Sequence, residues 1–127
     1  MYTNSKKILN NEITFVIQGP IIRESDVSKK ISKFNEKFIK GDIKKNDVTK
    51  ISCESIRRYF PGSKIVLSTW KNSDTEDLNF DTIVVSDDPG ANHYYYENNN
   101  VLNNTNRMIT SSYQGLISVN TKFCVKL

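Results

Sequence analysis

The stretch SIRRYFPGSKIVLSTW, residues 55–70, combines the end of a helix, a sharp stop and a strand. Apolar positions recur at helical spacing from about residue 48 to residue 60. Pro61-Gly62 ends this helix, because proline cannot continue it and glycine readily leaves helical geometry. The run KIVLSTW, residues 64–70, is then rich in β-branched and apolar residues, which is typical of a strand. A helix that leads directly into a strand is the repeating unit of α/β folds.

Further elements of both kinds lie on either side of this stretch. The runs ITFVI (Ile13 to Ile17), TIVVS (Thr82 to Ser86) and KFCVKL (residues 122–127) are predicted strands. Helices are predicted at SDVSKKISKFNEKFIKGD and from about Asn106 to Val119. The order predicts an α/β fold, namely a Rossmann-like open, mostly parallel sheet flanked by helices.

Two helices have a predicted buried face, and one of them has a predicted N-cap. Asp47 is the expected N-cap of the helix at 48–60, and Arg57 and Arg58 in its last turn suit the helix dipole. The segment at 91–105, rich in Asn and Tyr, has little periodicity and is predicted to be a loop. The expected inward residues are Ile51, Ser55, Ile56 and Tyr59 in the first helix, and Met108, Ile109, Ser112, Tyr113, Leu116 and Ile117 in the second.

Length and charge restrict the class of protein. A chain of 127 residues is expected to form one α/β domain, or a piece of one. The net charge of +4 arises within residues 23–50, and Lys outnumbers Arg in the chain. Solvated lysines explain this pattern better than a phosphate-backbone surface, which favours Arg and interleaved aromatic residues. We therefore expect no nucleic-acid partner.

Cysteine usage and hydropathy indicate a cytoplasmic protein. Cys53 and Cys124 lie far apart with no metal-ligand spacing, so we expect buried, reduced thiols. The apolar stretch ITFVIQGPII is interrupted by polar and turn residues and precedes no cleavage site. It is neither a signal peptide nor a spanning helix.

Ligands of open α/β sheets bind at the carboxyl ends of the strands. Here those ends are QGP, STW and SDDPG. The chain has no GxGxxG after its first strand and no GxxxxGK[ST], which argues against a dinucleotide-binding fold and a phosphate-loop NTPase. The one histidine, His93, has no triad or metal partner at a recognisable spacing.

Several blocks of the sequence carry a family resemblance. FVIQGPI, SIRRYFPGSKIVLSTW, DDPG, NRMITSSYQGL and TKFCVKL, in this order, resemble the amino-terminal half of the WavE family of lipopolysaccharide-synthesis proteins. The resemblance spans nearly the whole chain except residues 24–46, which it implies to be a basic helical insertion in the domain. The family is related to nucleotide-sugar glycosyltransferases of the GT-A fold. The resemblance implies the donor-binding half of a cytoplasmic glycosyltransferase for lipopolysaccharide or capsular polysaccharide, with a lipid-linked or oligosaccharide acceptor. It also implies peripheral association with the inner membrane.

The resemblance also implies a set of site residues. Gln18, Gly19 and Pro20 would line the nucleoside site, Asp87 or Asp88 would accept hydrogen bonds from the base or ribose, and Arg107 would face the diphosphate at a helix N-terminus. The full expected substrate-binding set is Gln18, Gly19, Pro20, Ser68, Thr69, Trp70, Asp87, Asp88, Pro89, Gly90, Asn106 and Arg107.

Each of these residues also has a structural interpretation. Gly19-Pro20 and the DDPG run can be a strand stop and a turn, Trp70 can cover the sheet, and Arg107 can form a surface ion pair. The tyrosines at 94–96 can be a sugar-stacking lip or a hydrophobic loop anchor.

The chemistry of glycosyl transfer requires more than these residues. The leaving diphosphate needs cations or a divalent metal, Mg or Mn, which GT-A enzymes commonly bind through Asp-x-Asp just after the strand corresponding to KFCVKL. The sequence contains no Asp-x-Asp. We therefore expect a truncated front half whose metal ligands and catalytic residues lie outside this chain. The alternative is a non-catalytic α/β module, or a decayed fragment, that docks through its basic 23–50 segment.

Overall fold

The computed structural model describes residues 5–23 and 47–127. The predicted helix SDVSKKISKFNEKFIKGD and the predicted insertion at about 24–46 lie outside the described residues. A short 3-10 helix, Asn10–Glu12, precedes the first strand. The elements are β1 Ile13–Gln18, α1 Val48–Tyr59, β2 Lys64–Trp70, β3 Thr82–Ser86, β4 Asn92–Tyr96, β5 Asn99–Asn103, α2 Thr105–Ile117 and β6 Phe123–Lys126.

Four of the strands form one parallel sheet in the order β3-β2-β1-β6. The α/β fold class and its Rossmann-like sheet are therefore confirmed. The chain adds β2 and β3 on one side of β1 and β6 on the other. This reversal of strand order beside β1 is the kind of point at which α/β sheets bind ligands, outside the carboxyl ends of the strands.

Helix α1 packs on one face of the sheet. The core between this helix and the sheet consists of Phe15, Cys53, Ile56 and Ile65. Asp47 caps the helix by accepting a hydrogen bond from the Lys50 amide at 3.3 Å, as predicted. The predicted buried face of α1 is wrong for two of its four residues, and a third, Ser55, is half-buried. Ile56 is buried, but the residues buried beside it are Thr49 and Cys53, whereas Ile51 and Tyr59 are exposed.

Helix α2 packs on the other face through small residues. Ser111 and Gly115 are its buried positions. A Cβ at Gly115 would lie 2.6 Å from Cγ1 of Val16, closer than real Cβ contacts. Because the helix backbone approaches the sheet this closely, its large side chains cannot lie underneath it. The prediction that Met108, Ile109, Tyr113, Leu116 and Ile117 face inward is therefore wrong, since all five are exposed.

The predicted loop at 91–105 contains an antiparallel hairpin, β4 and β5. Glu97 and Asn98, at its turn, both have positive φ, 46° and 64°. Successive positive φ values are typical of a two-residue hairpin turn. Its strands carry Tyr and Asn in place of alternating apolar residues, which explains why periodicity did not reveal them.

The two thiols differ from each other. Cys53 is buried, as expected, whereas Cys124 is exposed. Cys124 lies on β6, which is at one side of the four-stranded sheet and whose four residues are all exposed. The prediction that both thiols are buried is thus wrong for Cys124.

Candidate functional site

A cleft of about 450 Å³ opens at the carboxyl edge of the sheet, between the ends of β1 and β2 and the start of α2. Its volume falls within the usual range of small-molecule sites, about 300 to 1,000 Å³. The cleft is lined by Gln18, Gly19, Pro20, Trp70, Asp88, Asn104, Arg107, Met108 and Ser111.

Gln18, the last residue of β1, is held against α2. Its carboxamide oxygen accepts hydrogen bonds from the hydroxyls of Ser111 and Ser112, the latter at 3.3 Å. The Ser111 hydroxyl also lies 2.8 Å from the carbonyl oxygen of Arg107. Because a hydroxyl has a single proton, Ser111 donates to one of these oxygens at a time. These contacts hold the Gln18 side chain on the wall of the cleft.

Gly19 turns the chain away from the sheet. Its φ is +108°, a conformation that other L residues rarely adopt, and its amide donates to the Ser68 carbonyl at 2.9 Å. Apart from its two chain neighbours, no heavy atom of the described residues lies within 4 Å of the position that a Cβ would occupy. The glycine is therefore required by its backbone conformation, and the space in front of it is open.

Arg107 and Asp88, which both line the cleft, form a bidentate ion pair. Arg107 Nε donates to Asp88 Oδ1 at 2.7 Å, and Nη2 donates to Oδ2 at 2.9 Å. Arg107 Nη1 donates to the side-chain oxygen of Asn104 at 3.0 Å, and the Gly90 amide donates to Asp88 Oδ1 at 2.9 Å. The hydrogen bond from Arg107, aided by that of the Gly90 amide, lowers the pKa of Asp88. The bond to Asp88 raises the pKa of Arg107.

Side-chain oxygens occupy part of the N-terminus of α2. The Thr105 amide donates to Oδ1 of Asn103 at 3.1 Å, and the Asn106 amide donates to Oδ1 of Asn92 at 2.9 Å. Amides at a helix N-terminus are a common anion site, but here two of them already have acceptors. Positive charge at this end of the cleft is therefore supplied by the Arg107 guanidinium.

The cleft brings together one part of the predicted site. The predicted residues that line it are Gln18, Gly19, Pro20, Trp70, Asp88 and Arg107.

The other predicted residues lie outside the lining. Ser68 and Thr69 are buried: the Ser68 hydroxyl donates to the Ser111 carbonyl at 2.7 Å, and Thr69 contacts the Ser73 hydroxyl at 3.1 Å. Asp87 is exposed and pairs with Lys71 at 2.7 Å. Pro89, Gly90 and Asn106 are also absent from the lining.

Sequence reasoning did not place Asn104, Met108 and Ser111 in the site. For Asn104 and Ser111 the spacing contained a usable signal, because residues three and four apart lie on the same face of a helix, whereas Met108 is directly next to Arg107 and carried no such signal. Asn104 and Ser111 stand three residues before and four residues after Arg107. Once Arg107 was assigned to the ligand, these neighbours followed from helical geometry.

Residues 5–23 and 47–127 contain neither a candidate metal cluster nor a candidate membrane span. Within these ranges, no three or more His, Cys, Asp or Glu side chains form a group that could hold a metal ion. None of the helices described there is both long enough and apolar enough to cross a bilayer.

Comparison with known proteins identifies a family. The family model described as WavE lipopolysaccharide synthesis matches residues 13–127. This range includes every residue that lines the cleft. Neither the comparison with curated proteins nor that with solved structures gave a significant match. The chain belongs to the WavE family of lipopolysaccharide-synthesis proteins.

Proposed function

We propose that this chain is the donor-binding half of a nucleotide-sugar-dependent glycosyltransferase that acts in the synthesis of lipopolysaccharide or a related capsular polysaccharide. Its family supports the pathway. The observation that carries the proposal is the cleft at the carboxyl edge of the sheet, in which Asp88 holds Arg107 opposite the open backbone at Gly19. Clefts at this position are where α/β sheets bind nucleotides.

Arg107 is proposed to bind the diphosphate. A guanidinium has five N–H donors, and three of those of Arg107 are used by Asp88 and Asn104. Two donors therefore remain for phosphate oxygens, and the bidentate pair with Asp88 fixes the plane in which they lie.

Asp88 is proposed to bind the nucleoside. Its carboxylate offers about four lone-pair positions, of which the Arg107 side chain and the Gly90 amide occupy three. One position is left for a ribose hydroxyl or a base N–H. Asp87 is a weaker candidate, because it lies outside the cleft lining and pairs with Lys71. Trp70 lines the same cleft and offers an aromatic surface to a base.

The acceptor, the catalytic residues and the metal ligands are proposed to lie outside this chain. We propose a lipid-linked or oligosaccharide acceptor and action on the cytoplasmic side, in peripheral contact with the inner membrane. No catalytic residue is assigned here. The described residues offer no metal-ligand cluster, so we propose that ligands for a divalent Mg or Mn ion come from elsewhere in the full-length enzyme.

Comparing each nucleoside diphosphate with its own monophosphate tests the proposal. The probes are UDP and UMP, GDP and GMP, ADP and AMP, and dTDP and dTMP, titrated calorimetrically against the whole chain. We expect at least one diphosphate to bind more tightly than its monophosphate. Arg107→Ala should remove this preference, a loss of about tenfold or more, because hydrogen bonds to charged groups contribute about 1.5–3 kcal/mol.

Arg58→Ala is the matched control, since Arg58 lies at the end of α1, on the opposite face of the sheet from α2. It should leave the diphosphate preference unchanged. If no diphosphate binds, or if the preference survives Arg107→Ala, the proposed donor site is wrong. Salt-sensitive binding to anionic vesicles in place of nucleotide binding would favour the non-catalytic docking module.

A further inference from the structure

The hairpin formed by β4 and β5 exposes aromatic rings that do not contribute to the core. Tyr95 and Tyr96 are 81% and 62% exposed, and Tyr94 and Leu102 are exposed as well. Large exposed rings on a short hairpin are not explained by packing, so a surface of this kind suggests a binding role. The proposed donor site does not use these side chains, because none of them lines the cleft.

Strand pairing defines which rings share a face. Tyr94 pairs with Val101 and Tyr96 pairs with Asn99, and alternation along β4 puts both tyrosines on the same face as Asn92. Asn92 accepts the hydrogen bond from the Asn106 amide at the start of α2. The face that carries Tyr94 and Tyr96 therefore lies on the side of α2, whereas Tyr95 projects from the opposite face.

The composition of the hairpin indicates the chemistry of its partner. Between residues 89 and 106, Glu97 is the only charged residue and asparagine is the most frequent one. Anionic membranes and nucleic acids are bound mainly through Lys and Arg, which this segment lacks. Tyrosine rings stack on apolar C–H surfaces, and carboxamides both donate to and accept from hydroxyls. A neutral sugar chain offers both kinds of surface.

We propose that the face bearing Tyr94, Tyr96 and Asn99, here called the tyrosine face, binds a neutral oligosaccharide. Residues that line the cleft lie at both ends of the hairpin: Asn104 directly follows β5, and Asp88 is four residues before the start of β4. A sugar chain on the tyrosine face thus lies beside the donor cleft. Its identification as the acceptor rests on the proposed function, but the binding itself does not.

Saturation-transfer NMR with maltohexaose and cellohexaose, on the whole chain, tests the tyrosine face. At least one of them should bind, and Tyr94→Ala/Tyr96→Ala should weaken binding about fivefold or more through loss of two aromatic contacts. Tyr96→Phe should retain binding, because the ring remains. Tyr59→Ala, which removes an exposed tyrosine on α1, should have no effect.

Two further measurements distinguish a loss of sugar binding from misfolding of a variant and from an error in the proposed donor site. Amide spectra of each variant establish that it folds, and UDP titration reports on the donor cleft independently of the sugar. If neither hexasaccharide binds up to its solubility, or if the folded double variant binds as the wild type does, the proposal is overturned. Binding to phosphatidylcholine vesicles that the double variant loses, with no sugar binding, would show a membrane anchor in its place.

Discussion

Arg107 donates hydrogen bonds to both carboxylate oxygens of Asp88, 19 residues away in the sequence, with N–O distances of 2.7 and 2.9 Å. The pair joins the loop after β3 to the first turn of α2. It therefore holds the guanidinium in one orientation at the lining of the cleft, and under the proposed function it does so before a nucleotide binds. Pre-organisation of this kind lowers the entropic cost of binding.

The two adjacent aspartates should differ sharply in their effect on nucleotide binding. Asp88→Asn replaces a bidentate acceptor of Arg107, so affinity for the best-binding nucleoside diphosphate should fall about tenfold, consistent with about 1.5 kcal/mol for a charged hydrogen bond. Asp87→Asn is the matched control, because Asp87 lies outside the cleft and its side chain is 82% exposed. Calorimetric titration gives both affinities. Equal losses in the two variants would contradict the assignment to Asp88.

Asp81 should contribute stability that depends on pH. Partial burial acts to raise its pKa, but hydrogen bonds from the Ile65 amide and the Arg57 guanidinium outweigh burial and lower the pKa below its ordinary value of 3.8. A lowered pKa means that the ionised form stabilises the fold above the ordinary value, and that this stabilisation is lost as pH falls through the lower, folded-state value.

Urea unfolding of Asp81→Asn tests the predicted direction of this pH dependence. At pH 7 the variant should be less stable by about 1–3 kcal/mol, because the Ile65 amide and the Arg57 guanidinium then donate to a neutral carboxamide oxygen in place of a charged carboxylate. The deficit should shrink as the pH falls below 3.8. Glu54→Gln, at an exposed position on α1, serves as the control. A deficit that is constant with pH would show that the carboxylate charge is unimportant.

The close approach of α2 to the sheet should make Gly115 intolerant of any side chain. A Cβ there would lie 2.6 Å from Val16 Cγ1 and 3.0 Å from Ser68 Cβ. Gly115→Ala should therefore lower the free energy of unfolding by about 1–3 kcal/mol, the usual cost of overpacking, despite the better helix propensity of alanine. Gln114→Ala, one residue earlier, should be nearly neutral. A stabilised Gly115→Ala variant would exclude this packing.

The two thiols should react at very different rates with a disulfide reagent such as 5,5′-dithiobis(2-nitrobenzoate). Cys124 is exposed, whereas burial shields Cys53 and raises its pKa, which lowers the fraction of reactive thiolate. The native protein should therefore release one equivalent of thionitrobenzoate quickly, and the second only on unfolding. Cys124→Ser should lose the fast phase, and its persistence in that variant would mean that Cys53 is accessible.

The parallel sheet could be predicted from sequence because its strands are continuous apolar runs bounded by strong stops. Pro61-Gly62 ends α1 and residues 64–70 form β2, as the sequence predicts. The exposure of β6 was harder to predict. Its sequence is as apolar as that of a buried strand, yet Phe123 and Val125 are both partly exposed. Apolar content alone does not distinguish an edge strand from a central one.

The buried face of α2 was predicted wrongly, because it depends on distances that the local sequence does not contain. Periodicity assigns large apolar residues to the core, but α2 buries Ser111 and Gly115 and leaves Ile109 and Tyr113 exposed. How closely a helix approaches a sheet depends on what the sheet presents, here Val16 and Ser68. That information lies in residues distant in sequence.

The lining of the cleft agreed with the predicted residues where it depended on strand ends, and differed from them where it depended on side-chain direction. Gln18 and Trp70 end neighbouring parallel strands, so their meeting at one edge followed from the fold. Ser68 and Thr69 come from the same strand end but are buried below the cleft. The ion pair of Arg107 with Asp88 was foreseen only in general terms, because its partner depends on the path of the intervening hairpin.

The most direct test of the donor site is to map nucleotide contacts by NMR. Amide resonances of the ¹⁵N-labelled chain would be followed during titration with UDP, GDP, ADP and dTDP. The account predicts shifts concentrated at Gly19, Asp88 and Arg107, together with the Trp70 indole N–H. Shifts located elsewhere, or no shift with any of the four nucleotides, would contradict it.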